Sequence, residues 1–248
     1  MSVGLGLFQK SLCLHQWMAR KAGMKVSCAP DWTSPIATMI YDRECPPATA
    51  LYGEWDYCRC RSLELIREQI GDLPGSTAEI GVWRGDFARL INYCFPDRKL
   101  FLYDTYAGYD ERDLSYDENA GNIDASFSEN WAHAKQEVPD LLMEEIRQKM
   151  PHPEQCIFRP GYFPETITAE EEKEPFVFIS LDVNLYQPTY AGLEFFYPRL
   201  QEGGAIFLHD YHTDLHGIAR AVQEAEKRFG SFKKFPLPDC CGTLVILK

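Results

Sequence analysis

The sequence predicts an α/β protein, a mostly parallel sheet with helices packed on both faces. Short apolar runs alternate with longer segments whose apolar residues recur at helical spacing, the order that builds parallel sheets through helical crossovers. Phe176–Leu181 (FVFISL) is apolar almost throughout, as a strand buried on both faces must be. The runs end at polar residues, Asp104, Asp182 and His209-Asp210 among them, and ligands of open α/β sheets bind outside the carboxyl ends of the strands.

Each element follows from local pattern. Leu63–Ile70 (LELIREQI) has helical spacing and is stopped by Gly71-Asp72-Leu73-Pro74-Gly75. Ser76–Val82 reads as a buried strand, Asp86–Phe95 as a helix ended by Pro96, and Leu100–Tyr103 as a strand closed by Asp104. Residues 106–124 form an insertion rich in Asp, Glu, Tyr and Gly, read as an irregular loop without a core pattern. Its Tyr106, Tyr109 and Tyr116, with Asp110, Glu111, Asp113, Asp117, Glu118 and Asp124, are equipment for holding a sugar or, equally, a solvated acidic loop. Phe127–Met150 has helical spacing, and Cys156–Arg159 reads as a short strand. Thr189–Leu200 reads as a helix, Gly203-Gly204 as a turn, Ala205–Leu208 as a buried strand and His216–Phe229 as a helix. Lys233–Phe235 and Thr243–Leu247 close the chain as two strands, with Pro236, Pro238 and Gly242 marking the turn between them.

The 248 residues suit one large domain, and 45% hydrophobic content supplies a sizeable core. The expected division is an N-terminal extension or lid over residues 1–60 and a ligand-binding domain over 61–248. A net charge of -12 opposes binding to a nucleic-acid backbone. No apolar run reaches the roughly 18 residues of a spanning helix, so no membrane partner is expected. Met1–Met18 lacks the basic-then-apolar order of a signal peptide. The nine cysteines match no zinc or thioredoxin spacing, Cys58/Cys60 and Cys240/Cys241 included, and read as free thiols of a cytoplasmic protein. A homo-oligomer is compatible with the chain.

Ala78-Glu79-Ile80-Gly81-Val82-Trp83-Arg84-Gly85 joins a strand to a helix. Gly81 and Gly85 let the backbone turn tightly and approach a ligand. The loop departs from GxGxxG, so it suits a cofactor without a pyrophosphate. Asp104 lies 19 residues after Gly85, at the next strand end, where a carboxylate can accept ribose hydroxyls. Read singly, the glycines are a packing turn and Asp104 a helix cap; together they read as a nucleoside site.

Asp182 and His209-Asp210 end two successive strands, 27 and 28 residues apart, which brings them to one sheet edge. Two carboxylates there suit a hard cation such as Mg²⁺ that would chelate and acidify a substrate hydroxyl. A neutral imidazole suits a softer metal such as Mn²⁺ or Fe²⁺ better. Without a metal, His209 is a candidate general base, and the acids are candidate helix caps. His212 and His216 are placed to extend this site or to begin a solvated helix.

The segments AEIGVWRGDFA, YDTYAGYD, FRPGYFPETI, SLDVNLYQPTYAGLEFFYPRLQEGGAIFLHDYH and DCCGTLVILK, in order from about Gly75 to Lys248, resemble the macrocin O-methyltransferase family of class I S-adenosylmethionine-dependent enzymes. The resemblance implies a Rossmann-like, seven-stranded sheet whose last strand is antiparallel and inserted beside the strand ending at Asp210. It implies S-adenosylmethionine as cofactor, with Glu79, Gly81, Trp83 and Arg84 around the methionine part. Asp104, with Thr105 beside it, falls at the ribose, Gly161 and Tyr162 near the adenine, and Asp182 between cofactor and catalytic sites. The family typically carries carboxylates at 182 and at both later positions, so His209 is a departure, as is Asn184 where many relatives have a second acid. The expected acceptor is a sugar or natural-product hydroxyl. A non-catalytic nucleoside-binding domain and a nicotinamide oxidoreductase are the alternatives; the missing GxGxxG opposes the second.

Overall fold

The structure, a computed structural model, describes residues 49–124, 127, 139–211, 215–239 and 242–248, with side chains from residue 58 onward. Cys58–Lys248 forms one compact unit. Helix α1 (Thr49–Ile70) leads to β1 (Ser76–Ile80), α2 (Asp86–Cys94), β2 (Leu100–Asp104), α3 (Glu111–Ala120), α4 (Pro139–Lys149) and β3 (Cys156–Pro160). Then follow β4 (Phe176–Leu181), α5 (Tyr186–Arg199), β5 (Leu200–Leu208), α6 (His216–Phe229), β6 (Lys233–Pro236) and β7 (Leu244–Leu247).

The seven strands lie in the order β3-β2-β1-β4-β5-β7-β6. The first five are parallel to their neighbours, and β7 runs antiparallel between β5 and β6, as the resemblance implies. Every residue of β1 and β4 is buried, which is why neither strand alternates in polarity. Phe176, Phe196, Phe163 and Tyr103 form an edge-to-face and stacked aromatic centre between β4, α5 and the loop after β3. No described helix is long and apolar enough to cross a membrane.

The insertion is not irregular. Residues 111–120 form a capped helix: Asp110 accepts the Arg112 amide at 2.9 Å, and Gly121 closes the far end with φ 68°. The acid-rich composition hid the helix because two of its acids point inward. Asp117 accepts the backbone amide of Tyr186 at 2.7 Å and the Asn122 amide nitrogen at 2.6 Å. It thereby caps α5, whose own N-cap, Leu185, has no side-chain acceptor. Asp113 accepts the Tyr162 phenol at 2.8 Å, and burial raises its carboxyl to a pKa of about 6. These acids are hydrogen-bonded within the protein, and Tyr116 stacks on Tyr186 at 5.2 Å.

Other expectations shift at their edges. α1 begins well before Leu63, and β5 starts at Leu200 because the Gly203-Gly204 turn lies within the extended run. Within the expected helix 127–150, 139–149 is helical, and 128–138 lies outside the described residues. The extension 1–48, His212, Cys240 and Cys241 also lie outside them. Cys58 and Cys60 belong to no metal-ligating cluster among the described residues.

Gly81, at the end of β1, has φ 83°, and a Cβ there would sit 1.8 Å from the Asp182 carbonyl oxygen. Gly121 also has a left-handed φ, but its Cβ would meet nothing within 4 Å. Gly81→Ala should therefore cost at least about 3 kcal/mol in denaturant unfolding, and Gly121→Ala only about 1 kcal/mol. Equal costs would show that β1 and β4 can separate without penalty.

Candidate active site

One row of backbone hydrogen bonds assembles the site. Past the last paired residues, the Gly81 amide donates to Tyr103 O, Asp182 to Ile80 O, His209 to Leu181 O and Gly161 to Asp104 O, each at 2.9 Å. Residues far apart in sequence thus stand abreast across five parallel strands, because parallel register carries one strand's end onto the next.

Beyond this row, four non-glycine residues have left-handed backbones among those described: Trp83 (φ 48°), Tyr106 (53°), Asn184 (61°) and Asp210 (55°). Each follows one of the four central strands. Such conformations cost of order 1–3 kcal/mol each and persist where the surroundings over-determine them, commonly at functional sites.

Asp182, His209 and Asp210 come together as expected, their ligand atoms within 4.8 Å of one another. His209 Nδ1 lies 2.9 Å from Asp182 Oδ1 and 3.0 Å from Asp210 Oδ2, so one nitrogen sits between two carboxylates. Burial pushes the imidazole pKa down, but the Asp182 charge and the hydrogen bonds to both acids outweigh it and hold the ring protonated well above its ordinary range. Burial would raise Asp182, yet the facing imidazolium and then Arg59 bring its carboxyl below the usual value. His209 Nε2 is buried without a hydrogen-bond partner.

Sequence reasoning missed Arg59. Its guanidinium lies 3.7 Å over the Phe87 ring and 4.0 Å from Asp182 Oδ2. An arginine on the helix before β1 carries no local signal; only the docking of α1 beside α2 brings it to the acids.

The residues expected on the cofactor side are placed as follows. Asp104 bonds to three amides of the surrounding loops: Oδ2 accepts those of Val82 and Trp83 at 2.7 and 2.9 Å, and Oδ1 accepts that of Tyr106 at 2.7 Å. Thr105 donates to Gly108 O at 2.5 Å and so shapes the same loop. Glu79 is fully buried with Oε2 unpartnered; burial and then the Asp182 charge raise its carboxyl well above the ordinary range. Trp83 is 54% exposed with the Arg84 guanidinium 5.2 Å from its ring. Gly161 is in the row, but the Tyr162 phenol turns to Asp113, with Arg112 3.7 Å over its ring. Asn184 donates to the Tyr109 hydroxyl at 2.6 Å, and His216 is the first residue of α6.

This sheet order, with polar turns at the carboxyl ends of β1, β2, β4 and β5, is that of a class I methyltransferase. The same fold is found in the solved calicheamicin methyltransferase CalS11, 18% identical, with a TM-score of 0.64 over 90% of this chain and 94% of that one. The chain belongs to the macrocin O-methyltransferase (TylF) family, whose model matches residues 57–235. It is 29% identical over 217 residues, 79% of each chain, to the 8-demethyl-8-(2,3-dimethoxy-α-L-rhamnosyl)-tetracenomycin-C 4'-O-methyltransferase of Streptomyces olivaceus. It is 27% identical over 165 residues, 61% of this chain and 60% of the relative, to the demethyldecarbamoylnovobiocin O-methyltransferase of Streptomyces niveus. The protein is thus an O-methyltransferase, and the oxidoreductase and non-catalytic readings fall.

The protonated His209 has a thermodynamic signature. An imidazole raised above its unfolded value of 6.5 contributes stability that is fully present below that pH and lost as pH rises through the folded value. In EDTA, wild-type stability should fall between about pH 6.5 and 8.5 by up to about 1.4 kcal/mol per unit more than that of His209→Gln. Parallel profiles from denaturant unfolding would refute the buried imidazolium.

Proposed function

We propose that the protein transfers the methyl group of S-adenosylmethionine to a hydroxyl of a sugar-bearing natural product. The observation that carries this is the single hydrogen-bonded row holding the β1 turn and the Asp182–His209 pair side by side. The relatives named for rhamnosyl-tetracenomycin and novobiocin substrates support the acceptor class.

In this reading, Glu79, Gly81, Trp83 and Arg84 border the methionine part, and Gly161 and Tyr162 the adenine. Asp104 binds the ribose, with Thr105 shaping the loop beside it. Three amides already use most of the roughly four acceptor positions of the Asp104 carboxylate, which leaves room for one ribose hydroxyl. Asp182, His209 and Asp210 receive the acceptor. S-adenosylmethionine would supply an electrophilic methyl group on a sulfonium sulfur that leaves as a neutral thioether, and a carboxylate oxygen of Asp182 or Asp210 would take the proton of the acceptor hydroxyl. The partly buried, half-neutralised acids would favour binding of the sulfonium cation and release of the neutral thioether.

The same three residues fit a divalent cation. The spacings of 2.9 and 3.0 Å about Nδ1 match the edge of about 3 Å between adjacent ligands of an octahedral ion bonded at about 2.1 Å. One imidazole with two carboxylates favours Mn²⁺ or Fe²⁺ over Mg²⁺. Such an ion would lower the pKa of the acceptor hydroxyl. As a metal-free base, His209 is poorly suited, because the two acids hold its proton in place.

Calorimetric titration should show S-adenosylmethionine binding and no NADH binding. Asp104→Ala should weaken the former by at least about 1.5–3 kcal/mol, the worth of a hydrogen bond to a charged group. Unchanged affinity in a folded variant would remove Asp104 from the cofactor site. Mn²⁺ should bind tighter than Mg²⁺, and His209→Asp should reverse or erase that preference, because it replaces nitrogen by a hard oxygen. Equal preference in both proteins would exclude His209 as a ligand.

A further inference from the structure

We propose that Tyr109 and Asn184 are a pair of positioning residues that strap the methyl donor into its cleft. The inference rests on the S-adenosylmethionine reading above and goes beyond it in naming what retains the donor. Tyr109 belongs to the loop after β2, and Asn184 to the turn after β4. In the sheet, β1 lies between those strands, so the 2.6 Å bond from Asn184 Nδ2 to the Tyr109 hydroxyl crosses the carboxyl end of β1. That crossing spans two strand spacings, roughly 10 Å, and passes the Glu79–Gly85 turn where the donor is expected.

Both ends of the strap are fixed. Asn184 holds a left-handed backbone, a conformation asparagine tolerates better than most residues, and its Oδ1 is buried without a partner. Tyr109 packs against Phe127 with ring centroids 5.7 Å apart. Its loop is folded on itself by the Thr105 hydroxyl, which bonds Gly108 O and accepts the Ala107 amide at 3.1 Å. Arg112 anchors the far end through Asp110 and Glu165. Thr105, Gly108, Tyr109 and Arg112 line an open surface cleft of about 440 Å³. An amide at 184 neither takes up a proton nor carries charge, so it serves here as a hydrogen-bond partner that adds no third carboxylate next to Asp182.

The test uses the full chain and S-adenosylhomocysteine as probe, with association and dissociation followed by surface plasmon resonance. Tyr109→Phe and Asn184→Leu should each speed dissociation about tenfold, the loss of roughly one hydrogen bond, and leave association within about threefold. The double variant should dissociate no faster than either single one, because both remove the same bond. Asn184→Asp should keep the wild-type dissociation rate, since the phenol can donate to a carboxylate. Wild-type binding with unchanged dissociation in the variants, or additive effects in the double, overturns the strap alone. No wild-type binding overturns the donor reading and the strap with it.

Discussion

The site depends on the place where β1 and β4 part. Gly81 faces the Asp182 carbonyl so closely that no side chain fits between them, and its left-handed φ turns the chain away from the sheet at once. This contact keeps the Ile80–Asp182 hydrogen bond intact to the edge of the sheet, so the β1 turn and the Asp182 side chain start from one level. A β-carbon at 81 would push the strands apart and separate the β1 turn from the Asp182 side chain. The glycine is therefore required first by the protein's own packing, and only through it by any ligand.

Electrostatics then shapes what the edge can do. Glu79, Asp104, Asp182 and Asp210 are gathered at four adjacent strand ends, and such a group repels itself unless charge is removed or balanced. Each acid is handled differently. Asp104 spreads its charge over three loop amides, Glu79 is driven toward its neutral form, and Asp182 and Asp210 share the His209 proton with Arg59 nearby. One imidazole nitrogen thus stands within 3.0 Å of both carboxylates. Pre-organisation of this kind costs backbone strain, visible in the left-handed Asp210 and Asn184.

Much of this was legible in the sequence. Strand–helix alternation predicted the parallel sheet, because buried strands and amphipathic helices carry different periods. The strand-end rule then brought Asp182, His209 and Asp210 together without any contact information. The antiparallel β7 came from family resemblance, since nothing in LVIL distinguishes its direction. The helix 111–120 was missed because its inward residues are Asp113 and Asp117, and periodicity reads only apolar ones. Arg59 and the Tyr109–Asn184 bond were invisible for another reason: both join segments more than 70 residues apart through tertiary docking alone.

The central claim is that Asp182, His209 and Asp210 form one centre at the acceptor side of the methyl donor. It is tested most directly by a crystal structure with S-adenosylhomocysteine and Mn²⁺, read from anomalous scattering at the manganese edge. A single strong peak is expected about 2.1–2.3 Å from one oxygen of each aspartate and from His209 Nδ1, with the donor sulfur on the β1 side of it. A fully occupied donor with no peak between these residues, or with the manganese bound elsewhere, would contradict it.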